Sequence, residues 1–265
     1  MLSKFSDPTR SRDVRLAQTQ PTCALSSSRG SRRAFTIVEL LVTLAIIALL
    51  MSIMMPGLRA AREAANRVVC TSNLRQIGLA LYGYTTLYQE YLPSTIFDDD
   101  NTTAPHEMMA LNTGQPPTTD STPQADGLGW LISPDVQMIE APCVLYCPCH
   151  RGAHPASRYE GKWEPSAMER FYCNYHFVGD NDWELQSPRR LFMLTPDTVI
   201  VVDGMRDRGD INHRYGTNTL RADLSVRFWH DRQFRLRNAI NMVDGEAPAP
   251  EQTYRELWKL FAKVD

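Results

Sequence analysis

Three sets of residues in this sequence have the types and spacing to do chemistry. Cys143, Cys147, Cys149, His150 and His154 fall within one short stretch. Thiolates and imidazoles are the usual ligands of zinc. The spacing offers no pair of CxxC motifs, and Pro148 stiffens the loop. The stretch is therefore read as a disulfide, or as buried cysteine beside a strand end, and no metal is assigned to it. Asp203, Asp207, Asp210 and Asp223 could offer oxygen ligands to calcium. The run DGMRDRGD is not an EF-hand loop, so these aspartates are read as turn formers on a solvated loop. His213 with Asp223 could form a catalytic pair, but no Ser or Cys sits in a recognisable nucleophile elbow. His213 is expected to hydrogen-bond backbone near a hairpin. No catalytic residue and no cofactor follow, and the chain is read as a non-enzymatic protein.

A fourth residue stands alone. Glu39 is the single charge in the run FTIVELLVTLAIIALLMSIMM, residues 35–55. At the helical rise this run spans roughly 30 Å, enough to cross a bilayer core. An ionisable group inside a membrane span is expensive and points to function. If the chain were cut before Phe35, a new α-amine would lie at the membrane face. The Glu39 carboxylate of a neighbouring copy could then neutralise it and set the register of packed helices. Against this stands a carboxylate that merely snorkels to the interface.

The elements that must position these residues follow from periodicity and punctuation. Residues 1–34 carry Lys4, Arg10, Arg12, Arg15, Arg29, Arg32 and Arg33 against Asp7 and Asp13, and show no apolar period. They read as an unfolded basic leader. Residues 35–55 read as a transmembrane helix. Pro56 follows, where a helix bends by losing one hydrogen bond. Residues 56–92 continue as an amphipathic helix, with Leu58, Ala61, Ala65, Val68 or Val69, Leu74, Ile77, Leu81, Tyr84 and Tyr88 at helical spacing. Pro93 is expected to end it.

Residues 93–127 are rich in Thr, Pro and Asp and read as a flexible loop. Residues 128–243 read as an antiparallel β domain, with strands expected over 141–147, 171–178, 197–203, 217–222 and 225–230 and a tight hairpin at Asp223-Leu224. Residues 244–265 hold a helix with Tyr254, Leu257, Trp258 and Phe261 on one face. The fold class is therefore α+β: one long N-terminal helix on a small antiparallel sheet, with a C-terminal docking helix. A net charge of −2, with aromatic residues that do not alternate with Lys or Arg, excludes a nucleic-acid surface. Six cysteines are too few for a disulfide-dense scaffold, and one or two disulfides with one thiol left over are expected.

RRAFTIVELLVTLAIIALL resembles the processing and methylation signal of type IV prepilins and type II secretion pseudopilins. The resemblance implies cleavage between Ala34 and Phe35 by a prepilin peptidase, N-methylation of Phe35, and Glu39 as the fifth mature residue. It also implies a bending proline, at Pro56. Ala34 stands where the family has Gly.

The following segment, PGLRAAREAANRVVCTSNLRQIGLALYGY, is similar to prepilin-like proteins of planctomycete-type bacteria named for domain of unknown function 1559. That group ends in His, nine residues, then Asp-Gly. Here His213 is followed by nine residues and Asp223-Leu224, with Gly216 and Asn218 also fitting, and Leu224 stands for the Gly. LYCPC, residues 145–149, matches the group's Cys-Pro step.

Together these resemblances imply a pilin-like fold, a single-pass inner-membrane protein with its C-terminal domain in the periplasm or outside the cell, and partner subunits met through the N-terminal helix. The expected role is a pseudopilin-like subunit of a secretion or filament system. The alternative is a monomeric, membrane-anchored binding module that uses the signal only for export.

Overall fold

The computed structural model describes residues 35–95, 107–112, 125–159, 170–180, 189–240 and 251–262. The expected leader 1–34, Ala34 included, lies outside them. The chain divides into two units at Met51 and Ser52. In the first unit, every described residue from Phe35 onward is exposed. They belong to α1, Ile37–Leu87, which carries Pro56 within it.

In the second unit α1 buries Cys70, Leu74, Ile77, Leu81 and Tyr84, at helical spacing. Leu58, Ala61, Ala65, Val68 and Val69, expected on the same stripe, are exposed. The face turned inward there carries Glu63, Asn66, Arg67 and Cys70. It is polar because it meets polar loops, described below. α1 stops at Leu87 rather than at 92. Gln89 and Glu90 take φ of 52° and 73°, and the Glu90 N–H donates to the Thr85 carbonyl at 2.8 Å. Left-handed residues that bond back in this way satisfy the last carbonyls and end a helix.

Four short strands form one antiparallel meander in the order β1 (Tyr175–Phe177), β2 (Val199–Asp203), β3 (Gly216–Arg221), β4 (Val226–His230). Tyr175 pairs with Asp203, Val202 with Thr219 and Asn218 with Phe228. The expected strand over 141–147 is instead a 3-10 turn, Pro142–Leu145. Proline has no N–H for a ladder, and its fixed φ suits the first position of a helical turn. Two short helices, α2 (Ala156–Tyr159) and α3 (Arg235–Ala239), lie in segments where none was expected.

The hairpin joining β3 and β4 has three loop residues, not two. Leu224 N–H donates to the Arg221 carbonyl at 2.9 Å, and Arg221 N–H to the Ser225 carbonyl at 3.0 Å. Leu224 alone takes positive φ, 63°, as in a type I turn closed by a left-handed residue. That is the place where the related group has Gly. The Leu224 side chain reaches toward Gly78 of α1, so packing offsets part of its backbone strain.

Part of the segment expected as a flexible loop enters the core. Met108, Met109, Ala110 and Leu111 are buried, and antiparallel bridges join Ala110 to Tyr172 and Asn112 to Ala125. The apolar run MMAL is short and was hidden by its polar flanks. α4 (Glu251–Ala262) buries Tyr254, Leu257, Trp258 and Phe261, as its period required, and packs on β2. The arrangement is α+β, as expected from the sequence.

Candidate functional site

Two places hold the groups that could act. The first is the start of α1. Thr36 precedes the helix, and the Glu39 carboxylate accepts from the Thr36 N–H at 2.9 Å and its hydroxyl at 2.8 Å. The Glu39 N–H donates back to the Thr36 hydroxyl at 3.2 Å. This reciprocal pair is a capping box. The signal, Thr-x-x-Glu ahead of an apolar run, was present in the sequence. Glu39 therefore has a local partner in its own chain. From Leu40 to Met55 the helix carries no charge and is exposed on every side, long and apolar enough to cross a membrane.

The second place lies inside the Ser52–Asp265 unit, where the polar stretch of α1 meets the loop 146–150 and the loop before β3. A disulfide joins Cys70 of α1 to Cys147, 77 residues away, with their Cα atoms 5.5 Å apart. Two helical turns before Cys70, Glu63 Oε1 lies 3.2 Å from His213 Nδ1. The Cys149 thiol donates to Glu63 Oε2 at 3.5 Å. His213 Nε2 lies 3.5 Å from Asp203 Oδ2 and 3.8 Å from Cys147 Sγ. Asp203, at the end of β2, is buried and accepts from the Asn218 N–H at 2.6 Å and its side-chain amide at 3.0 Å. Asn218 in turn accepts from Thr71 of α1 at 3.3 Å.

Burial shapes the charges here. It raises the Asp203 carboxyl above the usual range, against the lowering effect of His213 and Asn218. It pushes the Cys149 thiol up to about 11, and the nearby Glu63 charge adds to this. Burial also acts to raise Glu63, but bonds to His213 and Cys149 outweigh it and hold that carboxyl low.

The residues singled out in the sequence are rearranged by this geometry. Of the five Cys and His residues between 143 and 154, only Cys147 and Cys149 reach the site. Cys143 is exposed. His150 bonds Asn212 at 2.9 Å and lies 3.6 Å from Asp210. His154 Nδ1 pairs with the Tyr159 hydroxyl at 2.7 Å. The described residues hold one disulfide, and Cys143, Cys149 and Cys173 are free thiols, more than the one expected.

The aspartates do not converge. Asp203 faces His213, and Asp223 caps the Ser225 N–H in the hairpin at 2.9 Å. Asp207 accepts from the backbone of Gly209 and Asp210, but it, Asp210 and Asp203 are all buried, not solvated. His213 bonds side chains rather than the expected backbone. Gly216 is required by close approach, because a Cβ there would sit 1.9 Å from the Trp229 carbonyl oxygen. Glu63 was missed altogether. Its signal was being the only carboxylate between residues 40 and 89.

Residues 29–55 match the prokaryotic N-terminal methylation motif, and residues 59–140 match the family described as Protein of unknown function (DUF1559). The two family matches together are those of a prepilin-like DUF1559 protein. No curated protein and no solved structure matches it. The prepilin-type motif supports a pilin-like exported protein and implies a substrate of prepilin peptidase. With one apolar helix, it suggests a single-pass membrane anchor. The DUF1559 match takes in Glu63, Cys70 and Thr71, the residues that α1 brings to the second site.

Proposed function

We propose that this prepilin-like DUF1559 protein is a non-enzymatic, pseudopilin-like subunit. It is cut before Phe35 and assembles helix-to-helix in a secretion or filament system of the inner membrane, with its domain in the periplasm or outside the cell. One observation carries the reading. The apolar half of α1 is uncovered by any described residue of its own chain, and it opens on a single carboxylate, Glu39, that lies inside the matched methylation motif. A simple anchor needs the apolar length but not the carboxylate. The Cys70–Cys147 disulfide supports an oxidising compartment for the domain.

The capping box sets the design of the test. Glu39→Ala removes both the charge and the cap, whereas Glu39→Gln keeps a side chain able to cap and removes only the charge. A broken buried ion pair costs about 3–5 kcal/mol, against about 1 kcal/mol for a lost cap. Cysteine crosslinking between spans, in membranes, reads the outcome. Both variants are expected to stay inserted and to lose crosslinking. Crosslinking equal to wild type in both would show that Glu39 has no part in assembly and remove the main reason for reading the protein as a subunit. Loss in Glu39→Ala alone would reduce Glu39 to a helix cap.

A further inference from the structure

His213 is held between two carboxylates. Its Nε2 faces buried Asp203 at 3.5 Å, and its Nδ1 faces Glu63 at 3.2 Å. A neutral imidazole carries one N–H, so it can donate to only one of them. With the proton on Nε2, the Nδ1 lone pair points at a carboxylate oxygen, and something positive must sit between them. The Cys149 sulfur closes the same space, because its Sγ, a Glu63 oxygen and a His213 nitrogen all lie within 4.8 Å of one another.

The separations fit a metal. Ligand distances of about 2.3 Å for Zn–S and about 2.0–2.2 Å for Zn–N and Zn–O give tetrahedral edges of about 3.5 Å for S···O and about 3.4 Å for N···O. The observed distances are of that size, 3.5 Å from Cys149 Sγ to Glu63 Oε2 and 3.2 Å from His213 Nδ1 to Glu63 Oε1, so the carboxylate meets the sulfur and the ring through different oxygens. We infer that Glu63 of α1, Cys149 and His213 form a three-ligand site for a divalent zinc-like cation, its fourth position open to water. One thiolate, one imidazole and one carboxylate are the donors of a borderline-soft metal.

Asp203 Oδ2, 3.5 Å from the far nitrogen of His213, completes the arrangement as the acceptor that nitrogen would donate to. This is the carboxylate–histidine–metal order that fixes a ring's tautomer. Asn218 holds Asp203 in place through two hydrogen bonds. Glu63 is about one-third exposed, which gives the ion a way in from solvent. The cation would join α1 to two loops, two helical turns from the point where the disulfide makes a similar join. Cys70 and Cys147 are committed to each other and contribute no ligand.

Full-length protein, purified in detergent with its disulfide intact, is titrated with Co(II) and then Zn(II). The expected result is one Co(II) per chain, a thiolate-to-cobalt charge-transfer band, and displacement by Zn(II). Glu63→Gln changes a partly exposed side chain and should fold normally; it, Cys149→Ser and His213→Ala should each lose the tight cobalt spectrum. Asp203→Asn positions rather than ligates, so it should keep the band and weaken binding by about 10–100-fold. Cys143→Ser should bind as wild type.

No band in the oxidised protein overturns the site and leaves a second proton on His213 as the answer. A band that survives both Glu63→Gln and Cys149→Ser also overturns it. A band that appears only after reduction assigns the metal to Cys70 and Cys147 instead, and the inference fails.

Discussion

The two ends of α1 belong to one continuous helix, yet they meet different surroundings. From Ile37 to Met55 the apolar residues run all round the helix, and none is buried within the chain. From Cys70 to Tyr84 most of them, Cys70, Leu74, Ile77, Ala80, Leu81 and Tyr84, share one buried face, while Leu79 and Tyr82 are exposed. The contrast shows what amphipathicity does. A helix with a polar side has one surface to bury and finds it in its own domain, whereas a helix apolar on every side needs an apolar solvent or other helices. Between the two lies the polar stretch from Glu63 to Cys70, whose inward face carries the candidate site rather than core.

The largest expected effect tests this contrast directly. Leu81→Ala should destabilise the domain by about 2–5 kcal/mol, because Leu81 is fully buried. Leu44→Ala, on the exposed apolar half, should leave domain stability within about 0.5 kcal/mol. Chemical denaturation of the detergent-solubilised protein measures both. Equal losses would mean that the two halves share one core.

The next effect concerns the covalent tie between α1 and the loop at Cys147. Replacing both Cys70 and Cys147 by Ser should cost about 2–4 kcal/mol, as expected for a long closed loop. Cys143→Ser, at an exposed free thiol, should cost nothing measurable. If the double variant melts with wild type, the joint between helix and loops is held by the polar network alone.

The smallest effects lie in the hairpin. Leu224→Gly relieves a left-handed residue worth about 1 kcal/mol and removes half-buried contacts of similar size, so a net change within about 0.5 kcal/mol is expected. A clear rise in melting temperature would show that the packing against Gly78 contributes little. Asp223 is held below the ordinary carboxylate range, chiefly by Ser225, whose N–H donates to it at 2.9 Å. A carboxyl depressed in the folded state stabilises above its unfolded value, near about pH 4, and loses that contribution as pH falls through the folded one. Asp223→Asn should therefore melt slightly below wild type at neutral pH, and the gap should close in acid. The group is almost fully exposed, so the gap is small and shrinks further with salt.

The sequence by itself determined what depends on neighbours a few residues apart. The apolar run and its lone carboxylate were legible, as were the buried face of α4 with Tyr254 and Phe261, the meander of β-branched runs, and the special turn at Leu224. Helical and strand periods report which face is apolar, and turn residues report backbone conformation, without reference to the rest of the chain. Tertiary structure decided the candidate site. Glu63 and His213 are 150 residues apart, Glu63 and Cys149 are 86 apart, and Cys70 and Cys147 are 77 apart. Nothing local selects those pairs. The crowd of Cys and His between 143 and 154 looked like one site because it was close in sequence, and the fold sent His150, His154 and Cys143 elsewhere. Which side chains share a buried space is set by how α1 lies on the sheet and its loops, and that depends on the whole packed core.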